Sequence, residues 1–552
     1  MSTATDPSGD VRDVVVVGAG HNALVAACYL AKAGLSVEVV ERDTVVGGAV
    51  STVERWPGYA VDRGSSLHIM IRRTGIVEEL ELARYGLHYL DCDPFAFLPV
   101  PGAPGGGLTF SRDLDATCAS IEAICGGRDA DAYRRFVAAW GPRNHAVFDA
   151  FHGVPTPGRI GRALWRAGRG SGLDGLELAR QFLQPGDQLL EETFDSELLR
   201  GALAWLGAQS GPPLHEAGTA DLVGWVALLH ELPPGRPVGG SGALTQALAR
   251  RLAADGGVLR TGTPATALTA GADGRVDGVV LEGGERIPAR AVMAGCHLEA
   301  TWRLLEPLLP GVTLAGYRRA LRVGAGMGMV ARVAARALPV FPGAPEQAQA
   351  GMTLLADRPQ LRAAYGDYLQ GRPPERPPVL SMAPTVLEPA LAPPGRHTLS
   401  LWSQWHPAVL ADGRSWDALA EREGEKLVAE VERRAPGFAA GVEDVFVQTP
   451  AQIERELALP RGNVMHLEMT LDAMFSLRPL PSMSGYRGPV AGLYLCGAST
   501  HPGGGVWGAS GRSAAGVLLR DRDRPRRGPL GAAAALGAAA RRLRPAAGRP
   551  RP

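Results

Sequence analysis

Residues 13–23 read Asp13-Val14-Val15-Val16-Val17-Gly18-Ala19-Gly20-His21-Asn22-Ala23. A run of β-branched residues stops at a glycine turn, and apolar residues at helical spacing begin immediately afterwards. Gly18 permits a tight turn, and Gly20 lets the backbone approach a pyrophosphate at the positive end of the helix. Ala23 takes the third glycine position, where a small residue suffices for close packing of helix on strand. The order of strand, turn and helix predicts the start of a dinucleotide-binding βαβ unit.

The residues that follow distinguish a nucleotide site from an ordinary tight turn. The helical pattern over residues 23–33 ends at Gly34, and the apolar run over residues 37–40 ends at Glu41. An acidic residue about 20 positions after the glycines accepts hydrogen bonds from an adenosine ribose. Glu41 therefore favours FAD or NAD over NADP, although Arg42 beside it could accommodate a 2′-phosphate.

Length, composition and charge limit the classes of protein to which the chain can belong. The chain has 552 residues, of which 45% are hydrophobic, and a formal net charge of +1. This length predicts about two or three domains with a full globular core, and the charge does not favour a nucleic-acid partner. The six cysteines include no CxxC pair and none lies at metal-ligand spacing with histidines, so we expect neither disulfide chemistry nor a metal site.

The sequence shows no targeting or membrane-spanning segment. The first residues lack a basic region followed by an apolar one, and no run of about 18 apolar residues occurs. We therefore expect a cytoplasmic protein. Peripheral contact with a membrane is also considered, although no strong amphipathic stripe supports it.

Two further motifs follow the ribose-binding acid. Gly47 and Gly48 would let backbone pass close to the phosphates and ribityl chain of a cofactor, unless they form a plain turn. Residues 58–64 read Gly58-Tyr59-Ala60-Val61-Asp62-Arg63-Gly64. A glycine fingerprint, a glutamate, a glycine pair and this segment together resemble the phytoene-dehydrogenase-like FAD-dependent oxidoreductases. The nearest branch is that of pyridine nucleotide-disulphide oxidoreductase domain-containing protein 2.

A second glycine-rich stretch lies near the end of the chain. It joins a predicted strand at residues 493–496 to a predicted helix at residues 512–519, and reads Gly497-Ala498-Ser499-Thr500-His501-Pro502-Gly503-Gly504-Gly505-Val506-Trp507-Gly508. Small residues let backbone pack on a flat ring, and a helix N-terminus stabilises negative charge on a reduced flavin. The stretch favours FAD over NAD, and it also resembles the corresponding run of the same branch.

The resemblance implies an α/β fold in which a Rossmann-type FAD-binding domain of the glutathione-reductase type is interleaved with an α+β substrate domain. The FAD-binding domain is assigned residues 1–112, 237–300 and 461–520. A mainly helical substrate or cap region is assigned residues 113–236, and the rest of the substrate domain residues 301–460. An Arg/Ala/Pro-rich tail, residues 521–552, is predicted to be disordered. Departures from the branch pattern occur at Ala23, Leu467 and Ala498-Ser499.

Motifs and resemblance together give the candidate site residues. Ala265 lies in the segment whose backbone is near the adenine in the family. The predicted cofactor contacts are Gly18, Gly20, Asn22, Ala23, Glu41, Arg42, Gly47, Gly48, Ala265, Gly497, Ala498, Val506 and Gly508. His68, His466 and His501 lie within the motifs and either form structural hydrogen bonds or transfer protons. Trp507 either walls the flavin or belongs to the core.

The resemblance implies an FAD-dependent oxidoreductase that desaturates or oxidises an apolar, carotenoid- or lipid-like molecule by hydride transfer to flavin. A redox-neutral FAD-dependent isomerase and a flavin-bound regulatory or interaction protein are the alternatives. The electron acceptor stays open between oxygen, a quinone and another carrier. The substrate, a catalytic base and the oligomeric state are not assigned.

Overall fold

A computed structural model describes residues 11–171 and 175–523, so most of the predicted tail lies outside the described residues. Strand Arg12–Val17 lies inside a parallel sheet, between strands Val37–Val40 and Arg286–Ala294. Val14 and Val16 belong to an apolar core on one face of the sheet, and Val15 and Val17 to a core on the other. Burial on both faces explains why this strand is a continuous valine run rather than an alternating one.

Distant parts of the chain complete this sheet. Val258–Arg260 pairs with Val37–Val40, and Leu493–Leu495 pairs with Arg286–Ala294, both in parallel. Strands Ala265–Ala270 and Val276–Leu281 extend the sheet in antiparallel fashion. The helices that pack together against it are His21–Lys32, Ala243–Ala254 and Ala509–Arg522. The first and last helices among the described residues therefore pack together beside the first glycine turn.

A second seven-stranded sheet forms the other part of the molecule. Its strands lie in the order Val442–Gln448, Gly328–Ala335, His397–Gln404, Val379–Met382, Met352–Leu354, Ala96–Pro99 and Gly107–Phe110. The sequence assigns the last two to the first FAD-binding segment. They join the second sheet instead because Ala96–Pro99 pairs in parallel with Met352–Leu354. Helix Trp416–Glu432 covers this sheet, and the Ser415 hydroxyl caps it.

Helices connect the two sheets and shape the space between them. The longer helices are Leu114–Cys125, Gly127–Phe151, Pro157–Ser171, Gly175–Leu183, Gly186–Thr193, Glu197–Ala208, Gly311–Ala320 and Arg358–Leu369. Pro450–Leu457 has the same length as Gly186–Thr193. The shorter helices are Ile76–Glu79, Ala220–Gly224, Val226–Glu231 and Leu298–Leu304. Two small sheets pair Thr52–Trp56 with Tyr59–Asp62 and Tyr89–Asp91 with Gly235–Pro237.

Helix Pro157–Ser171 forms although its sequence contains several glycines. Ala163 and Ala167 on this helix are buried, so tertiary packing outweighs the low helix propensity of its glycines. No helix among the described residues is long and apolar enough to cross a bilayer.

Candidate functional site

A cavity of about 760 Å³ extends from the glycine turn to the second sheet. Its volume lies within the range of roughly 300–1,000 Å³ that is typical of ligand sites. The predicted cofactor contacts that line it are Gly18, Gly20, Asn22, Glu41, Arg42, Gly47, Gly48, Ala265, Ala498 and Val506. One cavity thus brings together residues from three distant segments of the sequence.

The first glycine turn leaves open space over its backbone. Gly18 adopts a φ of +94°, which favours glycine, and turns the chain at the end of its strand. A Cβ added to Gly20 would meet no atom within 4 Å, so the space beside it belongs to the cavity. The Gly47 N–H donates to the Ala19 carbonyl at 3.0 Å, which holds the second glycine pair against the first.

Glu41 is held at the end of its strand by the backbone around it. Its Oε2 accepts the Ala19 N–H at 2.6 Å, and its Oε1 accepts the Asp43 N–H at 2.9 Å. The carboxylate is thus fixed beside the glycine turn, as a ribose-binding group must be. The Arg42 guanidinium donates to the Glu456 carbonyl at 3.2 Å, and this contact does not favour a role in binding a 2′-phosphate.

Unpartnered polar atoms at the start of helix His21–Lys32 test whether a dinucleotide fits this space. Both amide atoms of the Asn22 side chain and Nε2 of His21 are buried without a hydrogen-bond partner among the described residues. Leaving such an atom unsatisfied costs about 1–3 kcal/mol, so a polar ligand is expected to satisfy them. Burial lowers the pKa of His21 to about 4, so its ring is neutral. These atoms and the space over Gly20 fit a dinucleotide diphosphate.

The C-terminal glycine stretch forms another part of the cavity wall. Gly504 and Gly505 line the cavity, and a Cβ on Gly504 would lie 2.6 Å from the Met465 Cα. Only a glycine permits this close approach of two backbones. Trp507 is buried, and its indole N–H donates to the Gly504 carbonyl at 2.9 Å. Trp507 itself belongs to the core behind the cavity, where it packs on Phe148.

Arg478 fixes the two loops on this side of the cavity and is absent from the predicted site residues. Its Nη2 donates to the carbonyls of Met465 at 2.8 Å and Ala498 at 3.0 Å. Its Nη1 donates to the Glu468 carbonyl at 2.9 Å. Burial lowers the pKa of the guanidinium to about 9. The Arg478-Pro479 pair resembles the branch pattern, but only the fold shows what the arginine holds.

His466 is the only one of the three candidate histidines that lines the cavity within the described chain. Its Nδ1 lies 3.1 Å from the Ser499 hydroxyl, and burial lowers its pKa well below the usual value. The ring of His297 stacks on it at 5.3 Å, and Nε2 of His297 donates to the His466 carbonyl at 3.0 Å. His297 also lines the cavity, and its pKa is lowered to about 4 by burial. It follows a predicted strand, but nothing else in its local sequence selects it.

The other two histidines lie in hydrogen-bonded positions away from the cavity lining. His68 bridges the hydroxyls of Tyr89 and Ser241, each at 2.9 Å. Nε2 of His501 donates to the Ala150 carbonyl at 3.2 Å. Burial lowers the pKa of both rings to about 3. Their contacts favour the structural alternative over proton transfer.

Three predicted cofactor contacts also lie behind the cavity lining. Ala23 packs against Gly295 on the neighbouring strand, which is the helix–strand contact expected of the third fingerprint position. Gly497 approaches the Gly295 carbonyl so closely that a Cβ would lie 2.6 Å from it. Gly508 has a φ of +70° and precedes helix Ala509–Arg522. These residues support the cavity wall rather than line it.

The end of the cavity next to the second sheet is mainly apolar. Its apolar lining comes from the helical region and the second sheet, and consists of Leu206, Leu222, Trp225, Val226, Leu229, Val330, Met352, Leu380, Met382 and Trp402. Arg332 is a buried exception, whose Nε donates to the Gln448 side chain at 2.8 Å and whose Nη1 donates to the Ser400 hydroxyl at 2.7 Å. Burial lowers its pKa to about 10, which leaves the guanidinium charged at neutral pH.

Comparison with known proteins identifies the family. A family model described as an NAD(P)-binding Rossmann-like domain matches residues 16–80. The chain is 33% identical to pyridine nucleotide-disulfide oxidoreductase domain-containing protein 2 of Rattus norvegicus, over 92% of this chain and 93% of that protein. The chain belongs to this family. The chain is also 28% identical to phytoene dehydrogenase of Streptomyces griseus, over 90% of this chain and 93% of that one.

Solved structures share the fold of this family member. An oxidoreductase from Methanosarcina mazei matches with a TM-score of 0.59 and 17% identity, over 92% of this chain and 99% of that one. Cyclohexylamine oxidase from Brevibacterium oxydans matches with a TM-score of 0.55 and 17% identity, over 93% and 100%. Family and fold confirm the predicted Rossmann-type flavoprotein architecture, and they agree with FAD as the cofactor.

Proposed function

We propose that the chain is an FAD-dependent oxidoreductase that desaturates or oxidises an apolar, carotenoid- or lipid-like small molecule. The observation that carries the proposal is the single cavity that joins the glycine turn, the C-terminal glycine loop and an apolar wall. A cofactor held in the first two parts would present its reactive end towards the third. Membership of an oxidoreductase family supports this interpretation of the cavity.

The cofactor would be held by residues from both ends of the chain. Gly18, Gly20 and Glu41 would hold the ADP half, and Ala498 and Val506 would hold the flavin half. When bound, FAD supplies a hydride acceptor, which no amino-acid side chain provides. The N-terminus of helix Ala509–Arg522 adds a positive dipole end on the flavin side of the site.

The apolar wall would orient the substrate and exclude water. Side chains such as Leu380 and Met382 offer contacts to hydrocarbon and no hydrogen bonds, so they favour an apolar molecule. Exclusion of water strengthens the electrostatic effect of the fixed dipoles around the reacting bond. These residues would hold the substrate in a reactive orientation, and such positioning accounts for a large part of catalysis in cofactor enzymes.

His466 is the candidate for holding or moving a proton. The Leu298 N–H donates to the Ser499 hydroxyl oxygen at 3.4 Å, so the hydroxyl hydrogen is free to be donated to Nδ1 of His466. When the Ser499 hydroxyl donates in this way, the ring hydrogen of the neutral His466 lies on Nε2. A neutral imidazole with Nε2–H is able to donate a hydrogen bond or relay a proton near the substrate.

The proposal also covers the electron acceptor and the location of the protein. The electrons leave to oxygen, a quinone or another carrier, and the protein acts in the cytoplasm with peripheral contact to the membrane that stores an apolar substrate. No nucleic acid takes part.

Anaerobic incubation of the FAD-loaded protein with carotenoid and lipid candidates tests the proposal. We expect one candidate to bleach the flavin absorption and to yield a product that lacks two hydrogens by mass spectrometry. A product of unchanged mass would support the isomerase instead. No bleaching and no product with any candidate would support the regulatory or interaction protein, and both of these outcomes would overturn the proposal.

A further inference from the structure

Six exposed large apolar side chains lie on two consecutive helices and on residues 471–477. Those on the helices Pro157–Ser171 and Gly175–Leu183 include Trp165, Leu176 and Leu183, whose exposed fractions are 57%, 86% and 59%. Trp165 is the only exposed tryptophan of this chain, and all of its tryptophans are described. We call the following set the docking face: Leu164, Trp165, Leu176, Leu183, Leu471 and Leu477.

Contacts between segments bring parts of the docking face together. The Leu183 carbonyl accepts the Gly218 N–H at 3.0 Å, and the Leu471 side chain packs against Gly218. The Ser476 hydroxyl donates to the Pro155 carbonyl at 2.6 Å, which places Leu477 beside the start of helix Pro157–Ser171. Large apolar side chains that cluster in this way mark an interaction site rather than scattered exposure.

Arginines share the two helices with these apolar side chains. Residues 157–183 contain five arginines against one aspartate and one glutamate. Arg162 and Arg169 are exposed, and neither forms an ion pair with another described residue. The Arg169 guanidinium lies 4.5 Å from the centre of the Trp165 ring. The surface therefore offers unneutralised positive charge beside tryptophan and leucine.

We infer that the docking face binds the surface of an anionic lipid membrane. Tryptophan is favoured at the boundary between headgroups and acyl chains, and helices that lie in this boundary combine arginine with exposed leucine and tryptophan. The free charges complement anionic headgroups, whereas the core of a protein–protein interface is depleted of charge. The sequence alone shows no strong amphipathic stripe here, and the exposed apolar side chains are evident only in the folded helices.

A second cavity lies next to this face. It has a volume of about 610 Å³ and is lined by Arg166 of helix Pro157–Ser171 and by Leu228. Leu228 also lines the main cavity, so the two cavities share a wall. Passage of an apolar substrate from a membrane through this wall would rest on the proposed function, whereas the docking itself does not.

Co-sedimentation of the full chain with lipid vesicles tests the inference without any enzymatic reaction. We expect binding to phosphatidylcholine vesicles that contain phosphatidylglycerol, and weaker binding to pure phosphatidylcholine. Leu176→Glu should lower the binding constant roughly tenfold, since burial of a leucine is lost and a negative charge is added. Arg162→Glu should lower it about fivefold or more.

Matched variants on other surfaces serve as controls. Val340 is 75% exposed and lies outside the docking face, so Val340→Glu should bind vesicles like the wild type. Arg319→Glu is the corresponding control for Arg162→Glu, because Arg319 is exposed and forms no ion pair with a described residue. Every variant keeps the arginine-rich residues 524–552, so their contribution to lipid binding is constant.

The outcomes separate the possible occupants of the docking face. Failure to bind anionic vesicles, or equal losses in Leu176→Glu and Val340→Glu, would overturn the inference. If Leu176→Glu changed the oligomeric state in gel filtration and not vesicle binding, the face would contact a second copy of the chain instead, which would also overturn it. None of these results depends on turnover, so failure here would leave the proposed reaction untouched.

Discussion

Arg478 shows how one residue holds loops that are distant in sequence. Its guanidinium is fully buried and donates to backbone carbonyls of Met465, Glu468 and Ala498. We expect Arg478→Met to lower the free energy of unfolding by several kcal/mol, since each buried carbonyl left unpaired costs about 1–3 kcal/mol. Arg478→Lys should rescue little, because one ammonium cannot span the same acceptors.

The measurement is chemical denaturation together with flavin content. Arg487→Met is the matched control, since Arg487 is half-exposed and pairs with Asp521 at 2.6 Å. A surface pair of this kind contributes about 0–1 kcal/mol. Equal effects of the two substitutions would contradict the role given to Arg478.

A second prediction concerns Glu41, which is expected to bind the ribose of the cofactor. Glu41→Gln keeps the shape of the side chain but removes its charge, so one of its two backbone contacts or the ribose contact is lost. We expect the dissociation constant for FAD to rise about tenfold, which corresponds to about 1.4 kcal/mol. Titration of the apoprotein with FAD measures this change.

Glu38→Gln is the control for this substitution. Glu38 lies on the same strand and is also buried, but it pairs with Arg12 at 2.9 Å and does not line the cavity. Its substitution should leave FAD affinity unchanged. An identical loss of affinity in both variants would mean that Glu41 acts through the strand and not through the ribose.

At the scale of elements, the glycine turn before helix His21–Lys32 makes a sharp prediction. Gly20 has an ordinary φ of −65°, and a Cβ added there would lie in open space, so Gly20→Ala should fold normally. The added methyl group would occupy space where the diphosphate is expected. We therefore expect flavin binding to be lost while the thermal midpoint of the apoprotein stays within a few degrees of wild type.

Gly366→Ala is the control, because it also adds a methyl group where no atom lies within 4 Å. Gly366 lies within helix Arg358–Leu369, so alanine there should raise stability slightly, by about 0.5–1 kcal/mol. It should leave flavin content unchanged. Full flavin content in Gly20→Ala would contradict the placement of the cofactor's pyrophosphate at this turn.

Elements with a local signature could be predicted from the sequence, and long-range pairings could not. The strand before Gly18, the helix after it and the acid at Glu41 follow local rules of turn and periodicity. Strands Ala96–Pro99 and Gly107–Phe110 pair with each other, and Ala96–Pro99 joins them to the second sheet through Met352–Leu354, which lies about 250 residues away. Local pattern does not identify such a partner.

The same limit applies to the candidate site. The glycines could be identified from sequence, because close backbone approach requires this residue type. His466 lines the cavity, whereas His68 and His501 do not. The local sequence around the three histidines does not predict this difference. Burial and hydrogen-bond partners decide between these roles, and both depend on the folded chain.

At the scale of the whole molecule, buried neutral histidines predict acid sensitivity. Burial lowers the pKa values of His21 and His297 to about 4, and those of His68, His406 and His501 to about 3. Between pH 6.5 and about 4, the unfolded chain binds protons on these rings while the folded chain does not. The free energy of unfolding should therefore decrease as the pH is lowered from 6.5 to about 4. The decrease is up to about 1.4 kcal/mol per pH unit for each histidine.

Thermal midpoints measured from pH 7.5 to 4.5 check this prediction. In His406→Leu the thermal midpoint should decrease less as the pH is lowered. The substitution removes a buried ring whose two nitrogens lack partners among the described residues. A midpoint that stays constant down to pH 5 would contradict the buried neutral state of these histidines.

The binding of FAD by the purified full chain tests the central claim most directly. Reconstitution with excess FAD, removal of free cofactor and measurement of the visible spectrum give the amount of flavin bound per chain. We predict one FAD per chain in the wild type and in Gly366→Ala, and none in Gly20→Ala. A wild-type chain that retains no flavin, or that retains it equally in Gly20→Ala, would contradict the assignment of the cavity.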